Sequence, residues 1–466
     1  MGLIMPDRDD LLKQIPQVDK LLQSEIFANI DMYRHEVTEA VRDVLTDLRD
    51  GLISGVLNAV PGDDELAHSA VKLATKRAQT DSDIRRVING TGVILHSNLG
   101  RASLSKAAAE AVVEAASSYC TLEYDLSEGK RGNRTAGIEK YLKEITGCEA
   151  SLIVNNNAAA ILLIISALAN DGTVIVSRGE LVEIGGSFRI PEIISQCGCL
   201  LKEVGTTNKT RVSDFAVAID DDTKAILKVH PSNFKVIGFT ETVTVKELSS
   251  LGLSYGIPVI EDIGSGALVD VSRYGLKDEP LAKESLENGA DVVSFSADKL
   301  LGGLQCGIIL GRAEYISTMR KHPLYRAFRV DKMTIAALEA TLRVYADPAA
   351  AERDIPVLSM LLLTGDALRT RAEKLCEEIR KRGGSADIVR TKSVAGGGAV
   401  PGHELESYAI APTGKESIEK TEEQLRSLST PIIGYIDDGK LLIDVRTIFE
   451  DDFEYIIDAV VGLTAR

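Results

Sequence analysis

The chain has 466 residues, a hydrophobic fraction of 44% and a formal net charge of −16, enough apolar material for a large core and too acidic for a generic nucleic-acid binder, whose affinity rests on accumulated Lys and Arg. Six cysteines, at 120, 148, 197, 199, 306 and 376, form neither a disulfide framework nor a paired CxxC metal spacing, so reduced thiols in a cytoplasm and no metal are expected. The longest apolar run, Ala158 to Ala169, falls short of the roughly twenty residues of a membrane span, and MGLIMPDRDDLL turns acidic too early for an export signal.

From Leu11 to about Val60, apolar residues at Leu11, Ile15, Val18 and Leu22, then Val37, Val41, Val44, Leu48 and Leu52, recur at helical spacing. Pro61 and Gly62 close this unit, and a third helix is predicted from about Asp63 to Gln79, acidic at its start and basic at its end. The first boundary therefore falls at residue 62. A helical unit of this size suits substrate handling or assembly better than catalysis. Two basic clusters stand out, Lys72, Lys76, Arg77, Arg85 and Arg86, and Arg312, Arg320, Lys321, Arg326, Arg329 and Lys332. Each is either a polyanion contact or a solvated helix face.

INGTGVILHSNLGRASLS reads as turns followed by a helix, with Ser103 or Ser105 as the cap and Arg101 in a loop. EGKRGNR is a glycine-broken polar loop leading into an amphipathic helix. From Cys148 onward, strands are predicted at ASLIV, TVIVS, CLLKEV, AILKV, PVIED, DVVSFS and GIILG, alternating with helices. Cys197 and Cys199 are expected to alternate on a strand. Such alternation implies a mostly parallel sheet covered on both faces, with ligands at the carboxyl ends of its strands.

The residues after those strands are the candidates. Asn155, Asn156 and Asn157 precede the helical AAAILLIISALA, either a phosphate cradle or an ordinary helix start. His230 and Asn233 in HPSNF can reach a ring substituent or close a turn. Asp262, after PVIE, needs a cationic or hydrogen-bonding partner to stay ionised if buried. Lys299, in SFSADKLLGG, is a snorkelling lysine, a paired one, or an amine that forms a Schiff base. Phosphate cradle, strand-end aspartate, strand-end lysine is the order used by pyridoxal-phosphate enzymes of the aspartate-aminotransferase fold.

The large α/β part is expected to span 63–344, and a smaller α/β unit 345–466. In the latter, SVAGGGAVPGHELES reads as a mobile loop near the site or a plain linker, and PIIGYIDDGKLLIDV as a hairpin around Asp437, Asp438 and Gly439. Arg446 offers a carboxylate-binding group or a salt bridge with Asp444 or another nearby carboxylate.

INGTGVILHSNLGRA, TLEYDL, IVNNNAAAILL, VSRGELVEIGGSFRIP, EVGTTNKT, IEDIGSGALVD and SFSADKLLGGLQCGIILG together resemble the bacterial selenocysteine synthase family, the L-seryl-tRNA(Sec) selenium transferases. The similarity runs from LLKQIPQVDKLL to PIIGYIDDGKLLIDVR. It implies a fold type I pyridoxal 5'-phosphate enzyme, a ring-shaped homodecamer whose helical amino-terminal domain handles tRNA. It implies conversion of seryl-tRNA(Sec) to selenocysteinyl-tRNA(Sec) through a dehydroalanyl-tRNA intermediate, with selenophosphate as donor. On this resemblance Lys299 carries the cofactor as a Schiff base, and Asp262 faces the ring nitrogen. Asn155, Asn156, Asn157, His230, Asn233, Ser265 and Ser296 complete the cofactor contacts, while Arg101, Arg326 and Arg329 hold the selenium donor's anion. A related lyase or aldolase acting on a free amino or sugar acid is the alternative, and such paralogues usually lack the helical unit. A cofactor-free scaffold would have no use for both Asp262 and Lys299.

Overall fold

The computed structural model describes residues 8–28, 30, 32–80, 84–184, 186, 188–276, 279–397 and 399–465. The seven predicted runs form one sheet: β1 (Ala150–Val154), β2 (Thr173–Ser177), β3 (Leu200–Val204), β4 (Thr223–Val229), β5 (Val259–Gly264), β6 (Val292–Ser296) and β7 (Gly307–Gly311). Their spatial order is β1-β7-β6-β5-β4-β2-β3. Six strands are parallel, and β7 runs against both neighbours, with Ile309 opposite Ser294 on one side and Leu152 on the other. Strands β1, β2, β5, β6 and β7 are buried at every position. This is why their sequences read as largely apolar runs instead of alternating ones.

Alternate residues serve opposite faces. Leu152, Val154, Ile260 and Val292 pack with Ile161, Leu163, Ile164 and Ile165 of the helix Asn157–Leu168. Ile153, Val293, Phe295 and Ile308 pack on the other face with Ile138 and Leu142 of the helix Ala136–Thr146. Ser105 caps the helix Lys106–Ser117 by accepting from Ala108 N. Cys197 and Cys199 do not share a strand: Cys197 ends a helix and Cys199 precedes β3, with left-handed Gly198 between them. Their thiols point to the carbonyls of Leu162 and Ala169.

A second sheet has the order Tyr435–Asp437, Lys440–Asp444, Ala399–Pro412, Ala386–Gly396, Val93–Leu95. The expected hairpin at Asp437–Gly439 is present, with Asp438 and Gly439 at φ 44° and 65°, the pair of left-handed residues that a two-residue turn of this hand requires. Apart from Gly398, which lies outside the described residues, SVAGGGAVPGHELES is not a plain linker: its two arms lie in the long antiparallel pair Ala386–Gly396 and Ala399–Pro412. Glycine is needed at 396 because φ is 74° and a Cβ would stand 2.4 Å from Val93 Cγ1.

The chain divides into two compact units, Met1–Ile88 with Glu422–Ile432, and Asn89–Thr421 with Ile433–Arg466. The second unit contains both sheets and takes in the residues from 345 onward except Glu422–Ile432. In the first unit the helices Arg34–Ser54 and Asp63–Thr80 share a core of Val41, Leu45, Leu48, Leu52, Leu66, Ala67 and Ala70. The helix after residue 62 thus belongs with the helices before it. Among the described residues no helix is long and apolar enough to cross a membrane, and no group of three His, Cys, Asp or Glu could hold a metal ion.

Candidate active site

Adjacent parallel strands β5 and β6 bring Asp262 and Lys299 to the same end of the sheet. Asp262 is 2% exposed, and its Oδ1 accepts from Asn157 Nδ2 at 2.7 Å and from Gly264 N at 3.1 Å. Lys299, just past β6, is 5% exposed. A Cβ placed on Gly264 would lie 3.4 Å from Ser232 Oγ and 3.9 Å from Lys299 Nζ, so the lysine amine, Ser232 and the turn leaving β5 border one space. Burial pushes the Asp262 carboxyl above the usual carboxylate range, opposed by the Asn157 donor and by Lys299. Burial likewise pulls the Lys299 ammonium below its ordinary value, opposed first by Asp262 and reinforced by Arg101. Each group therefore favours the charge of the other.

Around this pair, Ser232 Oγ, Ser265 Oγ, Ser294 Oγ, Asn157 Oδ1 and Asp298 Oδ1 are buried without a hydrogen-bond partner. Leaving such groups unmet costs free energy at each position, and their gathering at one sheet end marks a place for a polar ligand. Pyridoxal phosphate fits this set. Its aldehyde suits the Lys299 amine, its ring nitrogen the Asp262 carboxylate, and its phosphate the start of the helix Asn157–Leu168.

The expected contact residues divide. Of the three asparagines, Asn157 alone turns its side chain to Asp262. Asn156 caps the helix through Oδ1 to Ala159 N at 2.8 Å, the ordinary helix-start role, and exposed Asn155 donates its backbone N–H to Phe328 O. Ser265 and Ser296 stand at the ends of β5 and β6, 0% and 8% exposed, and the Ser265 carbonyl accepts from Leu300 N next to the lysine. His230 follows β4 and donates its backbone N–H to Asp262 O at 2.8 Å. It also lines a cavity of about 570 Å³ with Lys228, Glu180 and Phe234. Asn233 is exposed and donates to Glu183 O at 2.8 Å, which ties its loop to a segment fifty residues earlier.

The three arginines have different surroundings. Arg101 holds the uncommon backbone φ of 63° and donates Nη1 to Asp298 Oδ2 at 2.8 Å, which seats it beside Lys299. Arg329 reaches Glu123 Oε1 at 3.5 Å, in a cluster where Arg131 and Arg134 approach the same carboxylate at 2.7 and 3.6 Å. Arg326 is exposed at the end of the short helix Pro323–Ala327. Arg312 and Arg320, from the same sequence cluster, are paired with Asp291 and Glu139. Arg446 makes no side-chain salt bridge with Asp444. Its Nη1 and Nη2 donate to the carbonyls of Met360 and Glu406 at 2.7 and 2.6 Å, and only its backbone N–H meets Asp444.

Sequence reasoning missed Ser232, Asp298 and Arg134. The signals were present: Ser232 sits between His230 and Asn233, Asp298 immediately precedes Lys299, and Arg134 ends the EGKRGNR loop.

Residues 87–449 match the family model described as L-seryl-tRNA selenium transferase. The chain is 45% identical over 462 residues to the L-seryl-tRNA(Sec) selenium transferase of Alkaliphilus oremlandii, covering 97% of this chain and 98% of that protein. It is 47% identical over 458 residues to the enzyme of the same name from Carboxydothermus hydrogenoformans, covering 96% of each. Among solved structures it resembles a D-glucosaminate-6-phosphate ammonia-lyase with a TM-score of 0.56 and 18% identity, over 83% of this chain and 98% of that one. That likeness concerns the fold.

Proposed function

The chain belongs to the L-seryl-tRNA selenium transferase family, and from that membership we propose that it converts L-seryl-tRNA(Sec) to L-selenocysteinyl-tRNA(Sec), with selenophosphate as the selenium donor. It is a fold type I, pyridoxal-phosphate-dependent enzyme. The observation that carries the reading is the buried Asp262 and Lys299 pair at the carboxyl end of β5 and β6, ringed by unpartnered oxygens.

When bound, the cofactor supplies an electron sink for the substrate's α-carbon. The chain's own residues do the rest. Asp262, with Oδ1 already occupied, offers Oδ2 to a protonated ring nitrogen and so favours the cationic ring. Lys299, whose amine burial biases toward the neutral form, takes the proton from the seryl α-carbon and returns one to the departing β-hydroxyl. The β-carbon loses water and gains selenium, whose bond to phosphorus is broken by hydrolysis. Arg101, held beside Lys299 by Asp298, supplies positive charge for the donor anion. Arg326 and Arg329 flank Phe328, whose carbonyl accepts from Asn155 N beside the site, and they would add to that charge, in a chain that by family resemblance assembles as a ring-shaped homodecamer. The helical unit would handle the tRNA, in a cytoplasmic setting.

The test is turnover with defined substrates. Purified protein loaded with pyridoxal phosphate, given seryl-tRNA(Sec) and selenophosphate, should yield selenocysteinyl ester by mass spectrometry. Arg326→Ala or Arg329→Ala should block selenium incorporation while a dehydroalanyl ester still forms and is trapped by added thiol. Turnover of a free amino or sugar acid, with seryl-tRNA(Sec) untouched, would overturn the reading in favour of a lyase.

A further inference from the structure

A buried carboxylate can turn about its last side-chain bond, and the direction in which it presents its free oxygen is set by whatever holds the other one. At Asp262 both donors converge on Oδ1, the backbone N–H of Gly264 at 3.1 Å and the Asn157 amide at 2.7 Å. The first belongs to the same strand and moves with Asp262. The second arrives from 105 residues away in sequence, at the first position of a helix whose Ala159, Ala160 and Ile161 are buried in the core. The rigid reference is therefore Asn157. Its neighbour Asn156 performs the capping, so helix initiation does not require the Asn157 side chain.

The Asn157 amide also leaves its own Oδ1 buried and unpartnered. Turning the amide over would set that carbonyl oxygen against the carboxylate, which accepts only donors while ionised. The amide thus tolerates one unmet acceptor in order to keep its N–H on Asp262. We infer that Asn157 is a positioning residue for Asp262, locking one carboxylate oxygen so that the other faces the space shared with Lys299 and Ser232. The inference rests on the reading of that space as the pyridoxal-phosphate site. It gives the side chain of this asparagine a role at the ring nitrogen, apart from the backbone N–H groups of the helix start.

The experiment uses full-length protein, pyridoxal phosphate labelled with ¹⁵N in its ring, and four forms: wild type, Asn157→Leu, Asn157→Ala and Asn156→Ala. Solid-state NMR reads ring-nitrogen protonation, and fluorescence titration reads cofactor affinity. Removing a hydrogen bond to a charged group predicts a dissociation constant raised about ten- to a hundredfold in both Asn157 variants. Their ring nitrogen should also move toward the unprotonated shift. Asn156→Ala should lower helix stability yet retain the protonated signal, which separates positioning from a general loosening of the helix start. A protonated, wild-type ¹⁵N shift in whichever Asn157 variant folds would overturn the inference. Wild-type protein that binds no pyridoxal phosphate would instead bring down the cofactor reading itself.

Discussion

Gly307, the first residue of β7, lies against the start of the helix that carries Asn156 and Asn157. A Cβ there would stand 2.3 Å from Asn156 O, 2.6 Å from Asn156 C and 3.0 Å from Asn157 N. All three are backbone atoms, so no side chain can swing aside, and Gly307→Ala must displace the helix start by about 1 Å to restore van der Waals separation. Overpacking of this kind costs about 1–3 kcal/mol, and weakening the Asn156 cap adds about 1 kcal/mol, so the variant should be less stable by about 2–4 kcal/mol. A 1 Å shift also takes the 2.7 Å bond from Asn157 to Asp262 out of hydrogen-bond range, so cofactor affinity should fall with stability. Urea unfolding of the cofactor-free protein, with titration of pyridoxal phosphate into the folded form, measures both. A variant within 1 kcal/mol of wild type and with unchanged affinity would show that the helix start is not wedged against β7.

Lys299→Ala should fold yet fail to become covalently labelled when pyridoxal phosphate and borohydride are added; a reduced cofactor found on another lysine would remove Lys299 from its role. Arg446→Met removes the donors to the part-buried carbonyls of Met360 and Glu406, and should cost about 1–3 kcal/mol in urea unfolding; a loss below about 0.5 kcal/mol would mean those carbonyls find other donors. Glu261 is buried, and that burial, opposed by Ser285 and Lys228, raises its carboxyl above the ordinary 4.5. The folded state then binds more protons than the unfolded one above that value, so stability falls as pH rises through the window. Glu261→Gln should flatten the fall in a melting-temperature series against pH, and an unchanged slope would contradict the assignment.

Five of the seven strands were legible because they are buried on both faces, and a doubly buried strand writes itself as a largely apolar run; β3 and β4, which carry exposed positions, were found from their β-branched and aliphatic residues. Asp262 and Lys299 were legible for a related reason, since a charge placed at the end of such a run is out of keeping with it. Asn157 was found, but its side-chain bond to Asp262 was not. Three consecutive asparagines give no sign of which one caps, and helical phase decides that Asn157 points to β5. The Gly396 turn read as a linker because close approach by Val93, from a segment three hundred residues earlier, leaves no local trace. Arg329 and Arg320 read as an exposed basic cluster for the same reason: Glu123 and Glu139, their partners, come from a distant stretch of chain.

The position of β7 has a consequence for how the protein is made. At the sheet's edge β1 has β7 as its neighbour, and about 150 residues separate the end of the first from the start of the second. At roughly 5–20 residues per second, a ribosome takes about 8–30 s to cover that distance. During this interval ASLIV and the apolar helix after it are outside the tunnel with their eventual partner strand unmade. An unpaired apolar strand edge is a template for pairing with other chains, so the nascent enzyme passes through a period of exposure to aggregation that ends when GIILG emerges and docks between β1 and β6.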